Sequence, residues 1–236
     1  IAAFAVSTLG DMDRAVAMFR QEYPEDSVTC WVALSTGGLV ASGRLGELRA
    51  MATAPLETQT PRPGVKLDIW TRPSPGQRYV GGLDPSSGGD QAAFLVVDAR
   101  GGHVATLRGR TDVTYFTMEA CRVGMMYNRC LMMIERNGMG ESAVQAAVRV
   151  VGYPHVYRPP WKHSQSGQPL TREPFGVWMT DTLKENLQAR TMRLIHEGAL
   201  DTRSVSLITA LMGYDPQSTQ HTPDEISALY LAVMGL

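Results

Sequence analysis

The sequence predicts an α/β fold: a mixed five-stranded sheet, three antiparallel strands and then parallel ones, with helices on both faces. Two observations carry this. Three short apolar runs, 78–84, 92–98 and 103–109, are joined by "PSSGGD" and "ARGG", turn chemistry suited to hairpins. After them, patterns of helical and strand period alternate over 111–157. Hairpin-linked strands followed by helix–strand alternation place helices on both faces of one sheet.

Taken in order, "DMDRAVAMFRQEY" (11–23) has Met12, Ala15, Phe19 and Tyr23 on one helical stripe, and Pro24 ends it. "STGGLVASG" reads as a loop and 44–52 as a short helix. "APLETQTPRPG" reads as a proline-rich linker and "RPSPG" as a turn, so a boundary falls between 55 and 77. The three hairpin strands follow. Thr111–Tyr127 is a helix with Phe116, Ala120, Val123 and Tyr127 on one side. "CLMMIE" (130–135) is a continuous apolar run, as in a strand buried on both faces. Residues 141–151 are a helix ended by Gly152, and 155–157 a short fifth strand. Residues 158–177 form a polar loop and 179–196 a long helix; 205–212 fits helix and strand equally. "TPDEISALYLAVM" (222–234) is a final helix, with Pro223 in its first turn and Asp224 and Glu225 suited to its N-terminal dipole.

Composition bounds the function. The chain has 236 residues and a formal net charge of −1, so no global basic field announces nucleic acid. No apolar run reaches the ~18 residues of a membrane span. The N-terminus lacks the basic region of a signal peptide. Cys30, Cys121 and Cys130 have no zinc spacing with the histidines and read as reduced, mostly buried thiols of a cytosolic protein.

The chemistry lies in the acids. Asp84 ends the first hairpin strand, ahead of a turn that needs Gly88 and Gly89 but no carboxylate. Glu135 ends "LMMI", where an uncompensated carboxylate is costly. Asp224 opens the last helix. If the fourth strand lies beside the first and parallel to it, Asp84 and Glu135 stand side by side, and a C-terminal helix over that edge brings Asp224 to them. Three crowded carboxylates call for a cation, and oxygen-only ligands favour Mg²⁺ or Mn²⁺. Two such ions can activate water and stabilise the leaving oxygen of a phosphodiester. Taken singly, Asp224 is better read as a helix cap and Asp90 as a turn residue.

The same residues resemble a family, the C-terminal nuclease domain of the large terminase subunit of tailed bacteriophages. "YVGGLDPSSGGDQAAFLVVD" is similar to its first hairpin, with Asp84 as first metal ligand. "YNRCLMMIERNGMG" is similar to its tyrosine–asparagine, apolar strand and acid–arginine–asparagine–x–glycine signature, with Glu135 as second ligand. "TPDEISALYLA" resembles its closing helix, with Asp224 as third, although Pro223 and Thr222 replace the family's aspartate and histidine. The resemblance covers roughly residues 18–235. It implies a ribonuclease H-like fold and a metal-dependent endonuclease, using two Mg²⁺ or Mn²⁺ ions, that cuts concatemeric viral double-stranded DNA during genome packaging.

It further implies residues 1–76 as the tail of an ATPase domain plus linker, 77–236 as the nuclease domain, and a motor domain ahead of Ile1. No G-x-x-x-x-G-K-[ST] phosphate loop occurs in the chain. The implied partners are DNA, that motor domain, the portal protein and the small terminase subunit, in the host cytoplasm and away from membranes. Asp90 and Glu225 are expected as auxiliary acids, with Glu225 able to stand in partly for Asp224. Lys184, Arg136 and Asn137 are expected at the DNA; a solvated helix charge is the alternative for Lys184, which falls in a threonine–x–x–x–lysine pattern starting at Thr180. A different ribonuclease H-like nuclease, such as a resolvase or transposase core, and a non-catalytic interaction domain are the rival readings.

Overall fold

The structure is a computed structural model, and it describes residues 42–86, 91–159, 175–214 and 222–236. The predicted helix 11–23, Cys30, Gly88, Gly89 and Asp90 lie outside the described residues.

The chain runs α1 (Ser42–Ala50), β1 (Glu57–Arg62), β2 (Val65–Ile69), β3 (Tyr79–Asp84), β4 (Ala92–Asp98), β5 (His103–Gly109), α2 (Val113–Met126) and β6 (Leu131–Ile134). There follow α3 (Gly140–Gln145), continued by a π-helical turn Ala146–Val151, then α4 (Asp181–His196), α5 (Val205–Gly213) and α6 (Asp224–Met234). The strands form one six-stranded sheet in the order β1-β2-β5-β4-β3-β6. As the sequence predicts, β3, β4 and β5 are antiparallel neighbours and β6 lies parallel beside β3.

Two expectations change. The proline-rich stretch read as a linker is the β1–β2 hairpin, and β2 pairs antiparallel with β5. Pro61 falls where the β1–β2 register shifts, at the outer strand, where a missing N–H is tolerated. The alternation at 65–69, buried at Val65, Leu67 and Ile69, is a strand signal masked in the sequence by its flanking prolines. The sheet therefore has six strands instead of five and begins ahead of residue 77. The expected fifth strand shrinks to a single parallel bridge, Met132 to Val156. The ambiguous segment 205–212 is helix, capped by the Ser204 hydroxyl on the Leu207 N–H.

Each sheet face carries its own core. One gathers Leu67, Leu83, Phe94, Phe116, Met132 and Ile134 under α2 and α3. The other gathers Val80, Leu95, Met133, Leu187, Leu207 and Leu229 under α1, α4, α5 and α6. Helix α2 starts where Asp112 accepts from the N–H groups of Thr114 and Tyr115. Among the described residues no helix is long and apolar enough to cross a membrane.

The placement of α6 decides where the acids meet. A Cβ at Gly82 would collide with the Ala228 carbonyl, so only glycine lets the helix lie directly on β3. Gly235, at the other end of α6, packs on Val80 and Met133. Helix α6 thus runs antiparallel to β3, and its N-terminus lies over the C-terminal end of that strand.

Candidate active site

Strand geometry aims the first two acids. Side chains alternate along β3, so Tyr79 and Leu83 enter the α2 core while Val80 and Asp84 face α6. In β6, Met132 and Ile134 enter the α2 core while Met133 and Glu135 face α6. Leu83 pairs with Ile134, and the Glu135 N–H donates to the Leu83 carbonyl at 3.0 Å. Asp84 and Glu135 are therefore neighbours at the ends of two parallel strands, on the same face. The turn after Glu135 is tight: a Cβ at Gly140 would strike the Glu135 carbonyl.

Helix α6 supplies the third acid. The Ser227 hydroxyl hydrogen-bonds the Asp84 carboxylate, and Asp224 lies one turn earlier. The Asp84 carboxyl is pushed up to about 8, first by burial, then by the negative charges of Glu135 and Asp224; Ser227 and the Lys184 ammonium pull the other way. Glu135 and Asp224 thus both lie close enough to Asp84 to raise it, and the Lys184 ammonium of α4 is close enough to lower it.

Lys184 arrives there through a chain of backbone bonds. The Asn137 amide donates to the Met179 carbonyl at 2.8 Å and accepts from the Met179 N–H at 2.8 Å. Thr180 then caps α4, its hydroxyl accepting from the Leu183 N–H at 3.2 Å. Lys184 lies on the first turn after that cap.

The other expected residues are placed differently. Arg136 is engaged by Glu141, with Nε at 3.1 Å and NH2 at 2.6 Å from Oε2. Asn137 spends its amide on Met179. Both are therefore tied into the loop that follows Glu135. Glu225 does not join the other three acids: its Oε1 accepts from Arg108 NH1 at 2.6 Å and from the Ser206 hydroxyl at 3.2 Å. Ser227 was missed, although its i+3 spacing from Asp224 puts both on one helix face. The Tyr127 and Asn128 of the "YN" pair are structural: the Tyr127 hydroxyl donates to the Thr71 carbonyl at 2.7 Å, and Asn128 donates to Ser74 and Gln77.

Among the described residues no group of three or more Asp, Glu, His or Cys side chains forms a ready-made cage for one metal ion. The chemistry of the donors nonetheless suits a hard divalent cation. All are oxygens, they repel one another, and the suppressed ionisation of Asp84 is what a cation would relieve.

No protein-family model matches the sequence, and no curated protein matches it. Solved structures do. The large terminase nuclease from thermophilic phage G20c with bound magnesium is similar at a TM-score of 0.60 and 15% identity, over 80% of this chain and 96% of that one. The same nuclease with bound zinc gives 0.59 and 15%, over 80% and 97%. The large terminase nuclease domain of Thermus phage P74-26 gives 0.56 and 15%, over 80% and 93%. The chain has the ribonuclease H-like α/β fold of the large terminase nuclease domains.

Proposed function

We propose that the protein is a metal-dependent endonuclease that cleaves concatemeric viral double-stranded DNA during genome packaging. The observation that carries this reading is the convergence of Asp84, Glu135 and Asp224 at one end of a sheet whose fold is shared with phage terminase nucleases. Asp84, Glu135 and Asp224 would hold two Mg²⁺ or Mn²⁺ ions. When bound, such ions supply charge neutralisation at the scissile phosphate and a more acidic attacking water. Asp84 would hold a metal as the carboxylate, which the Ser227 hydroxyl would orient. Lys184 lies near Asp84 and would contact a phosphate oxygen. Low net charge leaves little non-specific grip, so the chain should bind DNA weakly at physiological salt.

In this reading the working partners are a motor domain of the same polypeptide, the portal protein and the small terminase subunit, in the host cytoplasm. The test is plasmid nicking with Mg²⁺ or Mn²⁺, with and without EDTA, for wild type and Asp84→Asn. Cleavage that is metal-dependent and lost in the variant supports the reading; cleavage that persists in EDTA overturns it. Binding to a portal ring separates a packaging nuclease from a resolvase-like enzyme.

A further inference from the structure

The start of α6 is held in an unusual way. Pro223 stands at its N-cap position, and among the described residues no side chain caps its first N–H groups. The helix end that presents Asp224 is instead tied by Glu225 to a line of alternating charges. Arg108 NH1 donates to Glu225 at 2.6 Å and to the Ser206 hydroxyl at 2.7 Å. Arg108 NH2 donates to Asp68 Oδ2 at 2.8 Å. Asp68, 1% exposed on β2, also receives the Thr58 hydroxyl at 2.6 Å and pairs with Lys66 at 3.0 Å. Burial alone would raise the Asp68 carboxyl, but the bonds from Thr58, Lys66 and Arg108 outweigh it and hold the group below its usual value. The line therefore spans β1, β2, β5, α5 and α6.

Asp68 is buried and Arg108 and Glu225 are partly so, and charges withdrawn from water are costly unless paired; here each has a partner with hydrogen-bond geometry. The arrangement cannot be explained by packing alone, because apolar side chains would fill the space between sheet and helix more cheaply. What it adds is direction. Arg108 is a planar fork fixed at one prong by Asp68 and at the other by Glu225, so it sets the height and rotation of the α6 first turn above the sheet. Glu225 is adjacent to Asp224, and Ser227 on the same turn binds Asp84.

We propose that Arg108, anchored by Asp68, is a positioning residue that fixes Asp224 through Glu225. The proposal rests on the metal-ligand role given to Asp224 above, and it makes Glu225 a strut rather than a spare ligand.

Two Glu225 variants test it. Glu225→Ala removes the strut, whereas Glu225→Gln keeps an oxygen for Arg108 and loses only the charge. Mn²⁺ affinity is measured by titration calorimetry, and amide exchange is followed by mass spectrometry on the metal-free proteins. The expected result is Mn²⁺ affinity lowered about tenfold or more in Glu225→Ala and within about threefold of wild type in Glu225→Gln. Exchange at residues 224–228 should quicken about tenfold in Glu225→Ala while β4 stays protected. Equal loss of affinity in both variants would mean that charge, not position, is what Glu225 provides, and would overturn the proposal. Unchanged exchange at 224–228 in Glu225→Ala would overturn it too. If wild type binds no Mn²⁺, the proposed function falls, and the exchange experiment alone still decides whether the strut exists.

Discussion

Asn137 grips the backbone of Met179 from both sides, donating to its carbonyl and accepting from its N–H, each at 2.8 Å. This clasp ties the loop after Glu135 to the lead-in of α4, so Lys184 is held beside the acids. Asn137→Ala should cost about 1–3 kcal/mol, because two Met179 backbone groups lose their partners. Its effect on cleavage should resemble that of Lys184→Ala, since both act on where the ammonium stands. Thermal melts and plasmid cleavage check this. A variant that melts early but cleaves at the wild-type rate would show that the clasp serves stability alone.

Asp84→Asn should abolish cleavage and stabilise the metal-free protein. The folded carboxyl titrates at about 8 against 3.8 for an ordinary aspartate. Between those values the folded state holds a proton that the unfolded state has lost. The contribution is fully present below about 3.8 and is lost as pH rises through 8. At pH 8 in EDTA the amide escapes that penalty, and each ~1 kcal/mol gained is worth about 2–4 °C in Tm. The advantage should vanish near pH 4. Mg²⁺ should raise the melting temperature of wild type and not that of the variant.

His103 gives an independent pH dependence far from the acids. It is buried between the Thr202 and Thr106 hydroxyls, each at 2.8 Å, and burial lowers it from 6.5 to about 4. The folded state refuses a proton that the unfolded state accepts below 6.5. Stability is therefore present above pH 6.5 and falls as pH drops toward 4, by about 2 kcal/mol at pH 5. The stability difference between wild type and His103→Gln, from denaturant midpoints, should shrink by that amount between pH 7 and 5. A constant difference would contradict the assignment.

Lys184→Ala should weaken duplex binding in Ca²⁺ and reduce the slope of log affinity against log salt by about 0.9, the share of one phosphate contact. The Lys184 ammonium lies close enough to Asp84 to lower its carboxyl, although burial and the neighbouring acids outweigh it. Labelled-duplex titrations at several salt concentrations measure the slope, and identical slopes would return Lys184 to the role of a surface charge.

What the sequence made legible was whatever local chemistry dictates. Strands β3, β4 and β5 are alternating or apolar runs bounded by turn residues, and β6 is a short apolar run because both of its faces are buried, Met132 and Ile134 in one core and Met133 in the other. Asp84 and Glu135 stood out because an acid at the end of such a run has a cost that must be met. The β1–β2 hairpin was hidden because its prolines read as a linker, whereas long-range pairing with β5 overrides that preference. The tasks of Arg136, Asn137 and Glu225 were hidden for a related reason. Asn137 and Glu225 make their polar contacts with residues that only the tertiary fold brings near, Met179 and Arg108, and Arg136 is taken up by Glu141 across the turn that follows it. Sequence can propose that a polar side chain meets a ligand, but only geometry tells whether its donors are already spent.

Glu225 is where that difference has the clearest consequence. Read from the sequence, it is a spare carboxylate beside Asp224, and Asp224→Asn should retain some cleavage. In the structure its Oε1 is committed to Arg108 and Ser206, and freeing it would leave Arg108, among the described residues, with Asp68 as its carboxylate partner. A charge-assisted bond of this kind is worth about 1.5–3 kcal/mol, which Glu225 would have to surrender before it could serve as a ligand. Asp224→Asn should therefore lose cleavage as completely as Asp84→Asn, while keeping its fold. The double variant Asp224→Asn, Glu225→Gln should be no worse than Asp224→Asn alone. Single-turnover plasmid cleavage at saturating Mn²⁺ compares the three. Residual activity in Asp224→Asn that disappears in the double variant would mean that Glu225 leaves Arg108 and takes over as ligand.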